Sequence, residues 1–332
     1  MRDIIRVSSD LSGFSKRHHP GFTTYPEPTI VDPEFCLGRR RPLDNAKAAP
    51  QLPDFIAVGP PRTATTWLDR VLRGHVGLPG ETKETHFFTR NYGRGIDWYA
   101  RHFRGCVGGQ IMGEICPSYF ESAQARERIR VAIPGCKIIC TLRDPVDRLY
   151  SYYKLMRQKG QTKRSFKKAL RKHRKLLDCS RYAFHVREWQ ATFGTDNVLI
   201  LLNDDLVAEP QNYLDRITDF VGVPRFRLAD TMAWQREYVI RNAPRWAWLA
   251  KRATEFRFWL DSRQLYRARR FAESVGLWRL CCEGGERFPP LDRRVETGLR
   301  DLLKPEVEAL ELLLHRNLST WKGTDVQDTQ TK

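Results

Sequence analysis

Three times along the chain, a short and nearly continuous apolar run is followed by a longer amphipathic segment. The runs are FIAVG at residues 55–59, KIICTLR at 137–143 and NVLILLN at 197–203, with helical patterns at 65–74, 146–158 and 211–221. Strands that are apolar along their whole length are buried on both faces, as in a parallel sheet covered by helices. We therefore predict an α/β fold with a central parallel β-sheet, whose ligand sites lie in the turns after Gly59 and Leu142.

The flanking segments differ in character from this core. Residues 1–54 contain seven prolines and little apolar periodicity, which predicts an irregular N-terminal arm. The main domain is expected at 55–322, and within it residues 229–291 form a divergent helical insertion rich in arginine and tryptophan. Leucines recur at helical spacing on both sides of Pro305, which predicts a helix or a helix pair, and residues 323–332 are expected to be frayed.

The turn after the first strand, GPPRTATTWL, opens a helix directly. A strand that turns tightly into a helix points unpaired N–H groups and the positive helix end at one place, which suits a phosphate. A loop of the Walker type would carry Gly-Lys before Ser or Thr to hold a magnesium triphosphate. Here Ala64 stands in the glycine region and Arg62 is the only cation. The loop therefore predicts a nucleotide without a magnesium-held triphosphate; the alternative is that its threonines cap an ordinary helix.

GPPRTATTWLDRVL resembles the 5′-phosphosulfate loop of sulfotransferases that use 3′-phosphoadenosine 5′-phosphosulfate (PAPS). Three more segments follow in the order and spacing of the carbohydrate branch, the heparan sulfate and related bacterial enzymes: KETHFF at 83–88, GEICPSYF at 113–120 and LRDPVDRLYSYY at 142–153. The resemblance implies the P-loop-like sulfotransferase fold and PAPS as co-substrate, with no metal. It also implies sulfuryl transfer to a hydroxyl, or an amine, of a carbohydrate, glycolipid or other amphiphilic acceptor.

The resemblance also assigns nucleotide-binding residues. Arg143 and Ser151 would converge on the 3′-phosphate, and Arg287 in GGERFPP is the nearest counterpart of a loop that lies near the adenine in animal members. Arg62, also expected to take part in catalysis, replaces the lysine of relatives; it keeps the charge but cannot donate a proton as lysine can. The 5′-phosphate and the departing oxygen would be held by the loop residues Arg62, Thr63, Ala64, Thr65 and Thr66.

KETHFF supplies the catalytic base in this resemblance. Glu84 matches the glutamate that deprotonates the acceptor, and His86, on the same side of an extended segment, is the alternative base. In GEICPSYF, Ile115 and Cys116 stand where the family often has lysine and threonine, so one cationic helper is missing. Glu114 of the same segment either binds acceptor hydroxyls or is structural.

The net charge of +18 is concentrated in two windows. Residues 151–181 carry 12 basic residues against one acidic, and residues 241–270 carry nine against two. A solvated helix face is the usual explanation of such runs, but the first window favours an acidic partner. The second interleaves tryptophan with arginine, which is typical of membrane interfaces, so we predict an anionic membrane surface that presents an amphiphilic acceptor. Nucleic-acid binding has only bulk charge in its favour.

The sequence also bears on where the protein is located and on which other functions compete. No apolar run approaches the roughly 20 residues that cross a bilayer, and the first 20 residues lack the apolar core of a secretory signal. We expect a cytoplasmic protein, soluble or peripherally bound to a membrane, with eight reduced cysteines and no metal site. The alternatives are a P-loop nucleotide kinase, opposed by the missing Gly-Lys, and a noncatalytic module that binds polyanions.

Overall fold

The computed structural model describes residues 50–229 and 240–323. The predicted arm at 1–54 and the predicted tail at 323–332 fall almost wholly outside these residues. The first half of the described chain contains β1 (Phe55–Ala57), α1 (Thr65–Leu72), α2 (Ile96–Ala100), β2 (Gly113–Ile115), α3 (Ala123–Ala132), β3 (Lys137–Leu142) and α4 (Pro145–Gln158). The second half contains α5 (Phe166–Lys172), α6 (Lys175–Asp178), α7 (Tyr182–Phe193), β4 (Val198–Leu202), α8 (Asn203–Ala208), α9 (Pro210–Val221), β5 (Asn242–Pro244), α10 (Ala247–Ser262), α11 (Tyr266–Ser274), α12 (Leu277–Cys282), β6 (Gly284–Arg287), α13 (Arg293–Leu314) and α14 (Ser319–Lys322).

The central sheet has four parallel strands in the order β2-β1-β3-β4. Its three apolar strands and the α/β class were predicted and are confirmed, whereas β2, with Glu114 at its centre, was not predicted as a strand. Because the strands are parallel, the turns that follow β1, β2 and β3 all leave from the same edge. The loop after β1, the segment after β2 and Arg143 after β3 therefore start out close together.

Both faces of the sheet are covered, as the apolar strands predicted. Along β1, Phe55 and Ala57 point to one side, against α1 and α9, while Ile56 points to the other, against α3, α7 and α13. This alternation is the period of two that a strand imposes on its side chains. Near residue 305 the predicted helix or helix pair is one helix, α13, which continues through Pro305.

The arginine- and tryptophan-rich insertion forms a small helical unit. Its described part starts with β5 and returns with β6, which pair antiparallel and enclose α10, α11 and α12. The helices were predicted and the two-stranded ladder was not. Of the helices that the structure describes, none has both the length and the apolar character required to cross a membrane.

The insertion packs directly on the catalytic half of the domain. Gly160, just after α4, has φ +66°, and a Cβ there would lie 2.1 Å from the Ala247 carbonyl oxygen of α10. Glycine is needed at this position for both its left-handed backbone and the close approach of α10. At the other end, the Tyr266 hydroxyl lies 2.9 Å from His102 Nε2, and Arg269 donates to the Glu81 carbonyl at 2.5 Å.

Candidate active site

The loop after β1 passes tightly over the neighbouring strand and adopts unusual backbone conformations. A Cβ on Gly59 would lie 2.2 Å from Thr141 Oγ1 of β3. Arg62 (φ 79°) and Ala64 (φ 63°) are left-handed, as is His86 (φ 51°) in the segment opposite. Left-handed non-glycine residues carry conformational strain and concentrate at functional sites. A left-handed backbone favours glycine, and Ala64 has this backbone at the position where Walker-type loops carry glycine.

This loop leaves the start of α1 open to an anion. The residue flanking the helix is Ala64, which has no side chain to cap it, so the first N–H groups of α1 have no side-chain cap there. Thr63 is buried; its hydroxyl donates to the Pro60 carbonyl at 2.7 Å and lies 2.8 Å from Thr141 Oγ1. Because the hydroxyl is used in these contacts, Thr63 would bind a phosphate through its backbone N–H. Thr65 and Thr66 begin the helix itself.

A second group of predicted residues meets on α4. Arg62 Nε donates to Ser151 Oγ at 2.8 Å, and Arg143 lies 3.6 Å from the Asp147 carboxylate. Lys154, one turn beyond Ser151, joins them: burial, and then the positive charges of Arg62 and Arg143, lower the pKa of Lys154. The structure thus brings three predicted residues together and adds one that was not predicted. Partly buried cations at this density favour a bound anion.

Lys83 connects the anion-binding loop with the predicted base. Its Nζ lies 3.5 Å from the hydroxyl oxygens of both Thr65 and Thr66, and 3.3 Å from Glu84 Oε1. The ammonium group of Lys83 therefore lies between the place where a phosphate would bind at α1 and the acceptor side of the site. Arg62, in contrast, is bonded toward Ser151.

Glu84 is held ionised by its neighbours. Partial burial works to raise the pKa of Glu84, but the charges of Lys83, His86 and Lys159 outweigh it, and the pKa lies below its ordinary value. Burial in turn lowers the pKa of His86, whose Nε2 lies 3.5 Å from Glu84 Oε2. Since His86 is then mainly neutral at pH 7, the lowering of the Glu84 pKa depends on the two lysines. Glu84 is a carboxylate able to accept a proton.

Glu114 anchors the segment that carries Lys83 and Glu84. It is fully buried, and its carboxylate accepts hydrogen bonds from Thr85 N at 3.1 Å, Thr85 Oγ1 at 2.5 Å and Tyr99 OH at 2.7 Å. Tyr119 OH adds contacts at 3.2 Å to both carboxylate oxygens. Of the two roles left open for Glu114, this geometry is the structural one: the residue fixes the backbone between Glu84 and His86.

Three possible metal ligands lie close together in this region. One ligand atom each from Glu84, His86 and Cys116 falls within 4.8 Å of the others. Burial raises the pKa of the Cys116 thiol well above its ordinary value, and His86 Nδ1 already lies 2.9 Å from Ser118 Oγ. His86 Nε2 lies 3.5 Å from Glu84 Oε2, so both ring nitrogens of His86 are already engaged within the protein.

Comparison with known proteins identifies the family. A family model described as a sulfotransferase domain matches residues 52–255. This chain belongs to the sulfotransferase family. Over 184 residues it is 33% identical to human heparan sulfate glucosamine 3-O-sulfotransferase 3B1, covering 53% of this chain and 47% of that protein. Over 318 residues it is 25% identical to mouse bifunctional heparan sulfate N-deacetylase/N-sulfotransferase 4, covering 85% of this chain and 32% of that protein. It thus spans about a third of the one relative and about half of the other.

The fold comparison agrees with this assignment. A crystal structure of a sulfotransferase from Alicyclobacillus acidocaldarius superposes with a TM-score of 0.59 at 22% identity, covering 82% of this chain and 99% of the other. The predicted sulfotransferase fold and the family resemblance are therefore confirmed.

The remaining predicted residue of the sulfotransferase site is Arg287. Arg287 ends β6 and is exposed, although the Pro289 carbonyl two residues on accepts a hydrogen bond from Tyr150, beside Ser151, at 2.5 Å. Its role at the nucleotide stays a prediction. Sequence reasoning left Lys154 and Lys159 out of the site, although both stand in the basic window at 151–181, which was their only signal.

Proposed function

We propose that this sulfotransferase transfers the sulfuryl group of PAPS to a hydroxyl of a carbohydrate-containing acceptor. The observation that carries the proposal is the placement of Lys83 between the hydroxyls at the start of α1 and the carboxylate of Glu84. Lys83 thus contacts both the anion site at α1 and the proposed base, Glu84. The activities named for the heparan sulfate relatives support a carbohydrate acceptor.

The nucleotide would be held at two anion sites. The start of α1, which no side chain caps, suits the 5′-phosphosulfate together with Thr65 and Thr66, because helix starts bind anions. Arg143, Ser151 and Lys154 suit the 3′-phosphate, with Arg62 between the two sites. This pocket is made of hydrogen-bond donors and positive charge, as expected for a nucleotide that carries no magnesium.

In the reaction, Glu84 accepts the proton of the acceptor hydroxyl as that oxygen attacks sulfur. The new S–O bond forms as the bond from sulfur to the 5′-phosphate oxygen breaks, and the electron pair stays on that phosphate oxygen. Lys83 stabilises the charge that grows there, and as an ammonium it can also donate a proton, which Arg62 cannot. We assign the role of base to Glu84 and not to His86, because His86 is a neutral ring that contacts the Glu84 carboxylate.

The test combines binding and transfer. Adenosine 3′,5′-bisphosphate (PAP) without metal should raise the melting temperature, and ATP with magnesium should raise it less. Radiolabelled PAPS incubated with extracted glycans and glycolipids should label a product. Stabilisation by ATP with magnesium alone would favour the nucleotide kinase. Stabilisation by PAP without any transfer would favour the noncatalytic polyanion-binding module.

We also propose that the insertion binds an anionic membrane surface. Eight of the 13 large hydrophobic residues exposed in the described chain lie between residues 246 and 280. They include Trp246 and Trp248 next to Arg245, and Phe271 at 70% exposure on α11. Aromatic side chains among arginines are typical of interfacial helices.

Co-sedimentation with anionic vesicles tests this second proposal. The double variant Trp246→Ala with Trp248→Ala should lose most of the vesicle-bound fraction. Leu312→Ala, which removes a more exposed apolar side chain from α13, should retain it. Equal binding by all three proteins, or no binding by the native chain, would refute the proposal.

A further inference from the structure

A cavity of about 270 Å³ lies between the proposed base and the insertion. One wall comes from the sulfotransferase core and includes Glu84, His86 and Trp98; the other comes from the end of α10 and includes Phe258, Trp259 and Asp261. The family match ends at residue 255, so the second wall lies beyond it. Because Glu84 opens into the cavity, any group that fills it lies beside the base.

The α10 wall is held in place by contacts with charged residues of the core. The ring of Phe258 lies 4.8 Å from the Arg90 guanidinium, 5.9 Å from the His86 ring and 6.0 Å from Lys159 Nζ. Thr254 donates to the Lys159 carbonyl at 3.4 Å, one turn before Phe258. The cavity is thus a built space with fixed walls, in which Phe258 covers the side nearest to His86.

The size of the cavity limits what can enter it. A protein cavity of about 150 Å³ holds benzene, so each heavy atom needs roughly 25 Å³. At that density, 270 Å³ accommodates about 11 heavy atoms, which is the number in one terminal hexosyl group. At the same density two linked sugar rings exceed this volume, so a second ring would lie outside the cavity.

The chemistry of the walls matches one sugar ring. Trp98, Phe258 and Trp259 offer aromatic surface for the C–H face of a pyranose, while Asn91, His86 and Asp261 offer polar groups for its hydroxyls. Asp261 Oδ1 is buried and lies 3.4 Å from Arg269 Nε, so the 21% of this side chain that is exposed belongs to its other atoms, Oδ2 among them. Trp259 is 49% exposed and stands at the rim.

We infer that the cavity takes a single terminal sugar ring of the acceptor, with the ring against Trp259 and a hydroxyl bonded to Asp261. This inference rests on the proposed function and narrows its acceptor class. Helix α10 closes the acceptor side, so the enzyme modifies ring hydroxyls at the end of a glycan or glycolipid headgroup and excludes the internal residues of a long polysaccharide.

The experiment compares two kinds of acceptor with labelled PAPS. A panel of alkyl monoglycosides presents single rings, and heparosan polysaccharide presents mostly internal residues. We expect label on at least one monoglycoside, and on heparosan only at the non-reducing terminal residue, which exoglycosidase release would locate. Label on internal heparosan residues would overturn the inference and leave the proposed function standing. No label on any acceptor, together with no stabilisation by PAP, would overturn both.

Variants of α10 give an independent readout, with a control variant on the same helix. Asp261→Asn and Trp259→Ala should each raise KM for the monoglycoside at least about tenfold, while KM for PAPS and the PAP-induced melting shift stay unchanged. Glu255→Gln, which alters an exposed position of α10 away from the cavity, should leave KM for the monoglycoside unchanged. If Asp261→Asn, which keeps the shape of the side chain, leaves that KM unchanged, Asp261 does not bind the acceptor and the inference fails.

Discussion

Replacing Gly160 by alanine tests whether the packing of α10 on α4 controls the acceptor side of the site. Gly160 has φ +66°, and an added Cβ would lie 2.1 Å from the Ala247 carbonyl oxygen and 2.5 Å from Lys251 N. Carbon and carbonyl oxygen rarely approach closer than about 3.3 Å, so the start of α10 must retreat by roughly 1.2 Å. Both partners are backbone atoms, which cannot move aside by changing a rotamer.

Two costs of the Gly160→Ala change can be separated. A left-handed alanine costs about 1–2 kcal/mol, and the overpacking against α10 costs about 1–3 kcal/mol more. Gly222, at the end of α9, has φ +88° and nothing within 4 Å of its added Cβ, so Gly222→Ala carries the first cost alone. The control variant should lose about 2–4 °C in melting temperature per kcal/mol, and the Gly160 variant should lose more.

The decisive readout is kinetic. Since Phe258 and Trp259 move with α10, Gly160→Ala should lower kcat/KM for the acceptor by about a hundredfold, the loss typical of a misplacement of about 1 Å. The melting shift induced by PAP should stay near the native value, because the start of α1 and Ser151 do not depend on α10. Equal acceptor kinetics for the Gly160 and Gly222 variants would refute the reasoning.

Three further changes address the catalytic core. Glu84→Gln should lower turnover by about 10² to 10⁴-fold while PAP still stabilises the protein in thermal melts; a larger loss from His86→Asn would make His86 the base. Glu84 works ionised, and activity falls as the pH drops through its pKa; because Lys83 lowers that pKa, Lys83→Met should move the acid limb of kcat/KM to higher pH. Lys83→Arg should keep the limb in place, and an unmoved limb in the methionine variant would contradict the assignment. Lys154→Met should weaken PAP binding about tenfold by calorimetry and reduce its salt dependence, whereas the exposed Lys167→Met should change neither.

The sequence predicted the parts of the fold that depend on local pattern. The strands β1, β3 and β4 are continuous apolar runs, and the loop after β1 has the residues of an anion site before a helix, so both could be located. Strand β2 could not, because its central Glu114 is polar; its burial depends on Thr85, Tyr99 and Tyr119, which only the folded chain brings together.

The structure brings several of the predicted site residues close together and adds cations that the sequence reasoning left out. Arg62 and Ser151, 89 residues apart, meet in the structure, whereas the resemblance paired Ser151 with Arg143. Lys159 influences Glu84 across 75 positions of the chain, and no periodicity links the two residues. A lysine in a basic window is more often part of a solvated helix face. The position of Lys159 near Glu84 therefore follows only from the packing of α4 against the segment after residue 82.

The two basic windows divide the net charge of +18 between different tasks. In the first window, burial lowers the pKa values of Lys154 and Lys159. Lys154 lies near the charge of Arg62, and Lys159 lies near that of Glu84. Without a ligand this crowding of cations destabilises the folded chain, and a bound dianion relieves it, so nucleotide binding and stability are coupled. In the second window, Arg269 and Arg270 are used to hold α11 against Glu81. These four cations are therefore accounted for by contacts within the protein, and the two in the first window support a function built around one anionic nucleotide.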